Sequence, residues 1–266
     1  MKSISRALRS YRQLATSAHN PEFQAQHAIS ADHILDAQSL HAAIYLGRNY
    51  IQESDLGPDR RMHAESDPYQ EHSDYFVVTK KTPKGEVVAT ARQIRPYSNR
   101  GHLSFPTIEK LNLYPRLRDE IERVDPSLCA EISGLAKARG VDSVAVLLLY
   151  RTMWQYSLTS GHKIWLMGCD ADVYSRLKFL FGDALVRIGK NSIYMGSEVV
   201  PAMLEVDRSI TPLLRESRTL NLAKRIMKRR MVKFMIEGLP PEYLNVMKQP
   251  VSAYLALSKD AEAGNS

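Results

Sequence analysis

Cysteine is nearly absent from this chain: 266 residues hold two, Cys129 and Cys169. Two thiols cannot build the disulfide framework of a small secreted domain, and neither has the spacing of a metal-ligand set. Both fall in apolar, strand-like runs and are expected as buried, reduced thiols of a cytoplasmic protein. Long apolar runs are also missing, so no segment reads as a membrane span. Near the start, Lys2, Arg6, Arg9 and Arg12 have no apolar stretch behind them, and a secretory signal is not expected. His63 and His72 stand close to acidic residues without a zinc spacing, so no metal is expected. Neither an internal repeat nor a low-complexity tract is present. Acidic residues are in deficit: 29 Asp and Glu face 36 Lys and Arg, for a net charge of +7.

Part of that excess is local. Lys224, Arg225, Lys228, Arg229, Arg230 and Lys233 fall within about three helical turns. Such a face attracts an acidic protein or another polyanion; the plain alternative is a solvated helix face.

The most informative stretch is Cys129-Ala130-Glu131-Ile132-Ser133-Gly134-Leu135-Ala136. It sets a carboxylate, a hydroxyl and a flexible backbone position in an apolar, strand-like run. A helical run follows from Asp142 to Tyr150, then a second apolar strand from Lys163 to Cys169. Strand, turn, helix, strand suits a parallel crossover, where ligands sit beyond the carboxyl ends of the strands.

The remaining elements arrange themselves around that unit. Residues 1–30 are polar and read as an arm or a peripheral helix. Ser30 or Asp32 caps a helix through Ile34, Leu35, Leu40, Ala43 and Ile44, running on to Glu53. Residues 54–73 form a charged loop, of a length that is functional or mobile in compact domains. Asp74–Thr79 and Glu86–Ile94 flank Pro83-Lys84-Gly85 as a β-hairpin. Ile108 to Val124 suggest short helices interrupted at Pro115. A helix over 172–180 is expected, with 184–188 as its extension. Short strands follow at 192–195 and, entered at Pro201, at 202–206. From Ile210 the chain reads as helical and basic, is broken at Pro240-Pro241, and ends without pattern. The expected fold class is therefore α/β (α+β), a central mixed sheet flanked by helices. The domains are an arm (1–30), a core (31–209) and a basic helical extension (210–266).

This order resembles the GNAT acyltransferase fold. More narrowly, it resembles the branch of N-acyl amino acid synthases and acyl-homoserine-lactone synthases. Arg48 after an apolar helix, Glu65-Ser66-Asp67-Pro68-Tyr69 with Asp74-Tyr75, and Val88-Ala89-Thr90-Ala91-Arg92 carry the likeness. So do Glu131-Ile132-Ser133 and the stretch from Gly189 to Pro201 with Tyr194 and Gly196. The resemblance covers roughly residues 35–206. Two positions depart from it. Gly134 stands where the branch usually has an arginine. Lys137-Ala138-Arg139-Gly140-Val141-Asp142 only partly fits the loop that cradles a coenzyme A pyrophosphate on helix amides, and Asp142 would repel that group.

The resemblance implies an N-acyltransferase in which an amine attacks a fatty acyl thioester. The donor is an acyl-phosphopantetheine thioester as co-substrate, with no permanently bound cofactor. Acyl carrier protein is favoured as its bearer, and Lys137 and Arg139 keep coenzyme A open. The acceptor is an amino acid or related amine. Glu131 would deprotonate or orient the amine. Backbone N–H groups from Ser133 to Leu135 would meet the thioester oxygen, with Gly134 admitting close approach. Arg48 and Arg92 would bind an acceptor carboxylate, and Tyr194 would line the pocket. Each has a structural alternative: a buried salt bridge for Glu131, a satisfied strand hydroxyl for Ser133, pairing with Asp67 or Asp74 for the arginines, and a core aromatic for Tyr194. The cationic helix would dock acyl carrier protein, with an anionic membrane surface as a further partner and nucleic acid disfavoured. A fold that kept acyl or carrier binding and lost catalysis is the rival account.

Overall fold

The computed structural model describes residues 22–99, 101–209 and 222–246. Among these, eight strands form one sheet and seven helices flank it. In chain order the sheet holds β1 (Phe23–His27), β2 (Ser73–Lys80), β3 (Val87–Ile94), β6 (Cys129–Lys137), β7 (Ile164–Asp170), β8 (Leu185–Arg187), β9 (Ser192–Tyr194) and β10 (Ser197–Glu205). A separate small hairpin joins β4 (Tyr97–Asn99) to β5 (His102–Ser104). The strand order is β1-β2-β3-β6-β7-β10-β8, with β9 pairing to β10. All neighbours run antiparallel except β6 and β7, which are parallel. The helices are α1 (Ala31–Leu46), α2 (Pro106–Lys110), α3 (Pro115–Glu122), α4 (Val144–Ser160), α5 (Ala171–Phe181), α6 (Leu222–Ile236) and α7 (Pro241–Val246).

Alternation along the strands divides the core between the two faces. Ala130, Ile132, Trp165, Met167 and Cys169 bury one face against Leu148, Leu149, Met153 and Trp154 of α4. Cys129, Ile164 and Leu166 bury the other beneath Ile108 of α2 and Leu117 and Ile121 of α3. Both thiols are free and buried. The indole of Trp154 is fully enclosed, and its N–H donates to the Val206 carbonyl at 3.2 Å and the Ser209 hydroxyl at 2.9 Å. A buried ring of this size is tolerated because its polar edge is satisfied.

Several elements differ from expectation for identifiable reasons. Residues 23–27 are the edge strand β1, so the sheet begins inside the expected arm; Phe23 is its one buried residue, which leaves little apolar alternation to read. Helix α1 is capped by Ser30, whose Oγ accepts from the His33 N–H at 3.3 Å, but it stops at Leu46 rather than Glu53. Asn49 has φ of 58° in the turn that follows. Pro115 opens α3 at its first turn, where its missing N–H costs nothing, rather than only interrupting a helix. Residues 185–187 form β8 against β10 instead of lengthening α5. Pro201 lies inside β10, opposite Gly168, and does not start the strand. The expected helical segment at 210–221 and the expected unpatterned end after Lys259 lie outside the described residues.

Candidate active site

The parallel pair β6 and β7 is the key to the site. Their register runs only from Cys129↔Ile164 to Glu131↔Leu166, although the strands continue to Lys137 and Asp170. Beyond Glu131 the strands separate and leave a wedge between two backbone edges. Gly168, in the middle of β7, is exposed between buried neighbours, as a strand facing an open gap should be. On its other edge β6 pairs with β3, and the register slips by one residue between Thr90 and Arg92. Gly134 sits in that bulge with φ of 64°. A β-carbon there would stand 3.3 Å from His41 Cε1 and 3.4 Å from Arg92 Cγ. Backbone conformation and space thus both favour glycine where an arginine was expected.

Glu131 lies where the wedge opens. It is 5% exposed, and its Oε2 accepts the Thr107 backbone N–H at 2.7 Å. Thr107 is in the first turn of α2, behind Pro106. Burial pushes the Glu131 carboxyl up to about 7, while the Thr107 hydrogen bond and the Arg92 charge hold it down. A carboxylate balanced near neutrality can both take and return a proton.

Arg92 is directly opposite Ser133 and shares its face of the sheet with Glu131. Its fork is engaged by Asp67: Nη1 donates to Oδ2 at 2.6 Å and Nη2 to Oδ1 at 2.9 Å. Both side chains are about 95% enclosed, at 5% and 4% exposure. Burial alone would lower the guanidinium's affinity for its proton; Asp67 and Tyr75 outweigh it and the net shift is upward. The structural alternative with Asp67 is therefore realised, and a carboxylate-bearing acceptor would compete with Asp67 for the same two nitrogens. His41, from α1, packs beside this pair and edge-on to Tyr45 at 4.0 Å. Burial, with the Arg92 charge, lowers its imidazole to about 3, so it is neutral at physiological pH. His41 was not among the expected site residues. Its signal was present, a polar side chain between Ala37 and Tyr45 on one helical stripe.

The other expected residues take varied positions. Ser133 is half-buried on β6. Tyr194 is half-buried at the end of β9; burial, with Tyr69 and Glu131 nearby, raises its phenol. Arg48 is exposed, with its guanidinium 5.9 Å from the Tyr50 ring, outside the buried cluster of Arg92, Asp67 and Glu131. Glycine at 189 is explained by a bridge to Leu113, where a β-carbon would come 2.3 Å from the Asn112 carbonyl.

At the start of α4, Asp142 Oδ1 accepts the Val144 N–H at 2.9 Å. The carboxylate thus occupies one amide of the kind an incoming phosphate would use. Lys137 Nζ donates to the Val141 carbonyl at 2.5 Å, and Arg139 is exposed. Helix α6 is amphipathic. Met231, Val232, Phe234 and Met235 are buried, while Arg229, Arg230 and Lys233 are exposed. Gln155 of α4 ties its end down by donating to the carbonyls of Met235 at 2.8 Å and Glu237 at 2.9 Å. The side chains of Lys224, Arg225 and Lys228 lie outside those described.

No protein-family model and no curated relative matches this chain. Solved structures do. The N-acyl amino acid synthase FeeM from uncultured soil microbes superposes with a TM-score of 0.53 at 13% identity, over 71% of this chain and 93% of its own. The acyl-homoserine-lactone synthase LasI gives 0.52 at 14% identity, over 69% and 89%. The coenzyme A-dependent acyl-homoserine lactone synthase BjaI, solved with SAM and isopentyl-CoA, gives 0.51 at 16%, over 79% and 89%. The chain therefore has the GNAT-like fold of these acyl-transferring synthases. No helix among the described residues is long and apolar enough to cross a membrane.

Proposed function

We propose that this protein is an N-acyltransferase that moves a fatty acyl group from the thioester of acyl carrier protein to the amine of an amino acid or related compound. The observation that carries this reading is Glu131: a buried carboxyl poised near neutrality, fixed by one N–H, where two parallel strands part. An amide-rich phosphopantetheine arm suits an open strand edge, because it can take up backbone hydrogen-bonding groups that would otherwise face water. Glu131 takes a proton from the acceptor amine, directly or through one water. The amine nitrogen bonds to the thioester carbon, and the carbonyl π electrons move to oxygen. Backbone N–H groups around the Gly134 bulge, with Ser133 beside them, receive that oxyanion. The carbon–sulfur bond then breaks, the amide forms, and the thiolate recovers the proton held by Glu131.

Asp142 on the Val144 amide at the start of α4 favours a carrier protein over coenzyme A, whose pyrophosphate would meet that carboxylate. Arg229, Arg230 and Lys233, exposed on α6, offer such an acidic carrier cationic groups, and Lys224, Arg225 and Lys228 add to the charge of the same helix. Arg48 and Tyr194 are proposed at the acceptor side; Arg92 contributes there through its pair with Asp67. The test is mass spectrometry of lipids from cells expressing the chain or its Glu131→Gln variant. N-acylated amines present with the first and missing with the second support the reading. Identical lipid profiles, with binding of acyl carrier protein retained, would favour a binding protein without turnover.

A further inference from the structure

The β4–β5 hairpin and α2 share a half-buried polar cluster that the reaction above leaves unused. Glu109 of α2 receives two short hydrogen bonds from the β4–β5 hairpin: Tyr97 Oη at 2.5 Å to Oε2, and Asn99 Nδ2 at 2.6 Å to Oε1. The Tyr97 ring in turn stands edge-on to Tyr69 at 5.2 Å. Two residues before Glu109 in the same short helix, Thr107 gives its N–H to Glu131. Helix α2 has five residues, too few to hold a fixed position by its own hydrogen bonds. Its apolar side is held by Ile108, packed in the core with Cys129 and Leu166, and the hairpin holds its polar side through both oxygens of one carboxylate.

We infer that Glu109, clamped by Tyr97 and Asn99, is a positioning residue that fixes α2 and thereby the Thr107 N–H on Glu131. The inference rests on the acyl-transfer reading for its purpose, though its geometry is independent of it. Glu109 acts on Glu131 in two ways: through α2 it supplies a hydrogen bond that favours the carboxylate, and through its own negative charge it opposes ionisation. The other groups that bear on Glu131 are Arg92 from β3, Tyr69 from the loop before β2, Tyr194 from β9 and Cys169 from β7. Tyrosine and thiol groups stay neutral around neutral pH, so Arg92 and Glu109 are the charges that set the balance.

The Thr107 amide reports on this directly in NMR spectra of the isotopically labelled protein, without any substrate. In the wild type its proton shift should titrate with Glu131, moving downfield as the carboxylate forms. Tyr97→Phe combined with Asn99→Ala should cut the amplitude of that titration at least in half, because α2, left with its apolar packing and the Ser104 hydrogen bond to Glu109, is held less firmly against β6. Glu109→Gln, which also removes a charge, should move the midpoint as well as reduce the amplitude. An unchanged midpoint and amplitude in the Tyr97/Asn99 variant would overturn the inference, and that variant decides the matter even where Glu109→Gln fails to fold. In assays, the Tyr97/Asn99 variant should lose about ten-fold in kcat with little change in KM for the acyl donor. If the amide behaves as expected while no acyl transfer is found for the wild type, the clamp stands and the proposed activity falls.

Discussion

Asp67 holds Arg92 with both carboxylate oxygens across 25 residues of sequence, in a pair almost closed to water. Removing one partner leaves the other charge buried and uncompensated. Asp67→Ala should therefore destabilise the fold by about 3–5 kcal/mol in denaturant titrations. Replacing both, Asp67→Ala with Arg92→Met, should recover much of that loss. If the double variant is no more stable than Asp67→Ala alone, the pair is not the origin of the effect.

Glu131 carries a stability cost of its own. Its ordinary value is 4.5 and in the fold it is about 7, so between these values the folded chain holds a proton that the unfolded chain has released. Stability then falls as pH rises through that window and stays lower above it. Glu131→Gln keeps an acceptor for the Thr107 N–H and removes the penalty. Its melting temperature should exceed that of the wild type above neutrality, by a free energy on the order of 3 kcal/mol at most, and the advantage should fade on acidification. A variant less stable than the wild type at every pH would contradict this account of the carboxyl.

Gly134→Ala tests the bulge. The substitution meets a left-handed backbone and two close side chains, so a loss of about 1–3 kcal/mol is expected. Gly101 provides the control: its φ is 84° but a β-carbon there would meet nothing within 4 Å. Gly101→Ala should cost less. Equal losses would mean that the contacts with His41 and Arg92 are without consequence and backbone strain alone acts.

Asp142→Gly separates the local hydrogen bond from donor choice. Loss of the Val144 N–H bond should lower stability by about 0.5–1.5 kcal/mol. Removing the carboxylate should also lower KM for an acyl-coenzyme A donor while leaving the carrier-bound donor unchanged. No change with either donor would place the phosphates elsewhere.

Much of this architecture is legible in the sequence where side-chain periodicity reports burial. The β2–β3 hairpin alternates around Pro83-Lys84-Gly85, and the β6–α4–β7 crossover reads as two apolar runs around a helical one. Elements whose position depends on partners far along the chain are harder to read. The run Phe23–His27 is strand because β2 offers it an edge, and Leu185–Arg187 because β10 does. At the site, Glu131, Ser133 and Gly134 stand out through their place in an apolar strand. Asp67 appears only as one of two candidate partners for Arg92. Thr107 is invisible, because it acts through its backbone N–H, which no side-chain pattern encodes. Glu109 is hidden for a related reason: its meaning comes from a hairpin that folds back over α2. In the sequence, Gly134 reads only as a departure from the arginine usual in the branch, whereas the fold shows a bulge closed by His41 and Arg92.

The pH dependence of acyl transfer by the purified protein tests the central claim most directly. Acyl carrier protein bearing a long-chain thioester, an amine panel and detection of released thiol would supply the measurement. Activity should rise with pH through an apparent pKa near 7, following Glu131, after allowance for the acceptor amine's own titration. Glu131→Gln should lower the plateau by roughly two to four orders of magnitude and abolish that inflection. Turnover by Glu131→Gln at the wild-type rate, with the same pH profile, would contradict the assignment of Glu131 as the base.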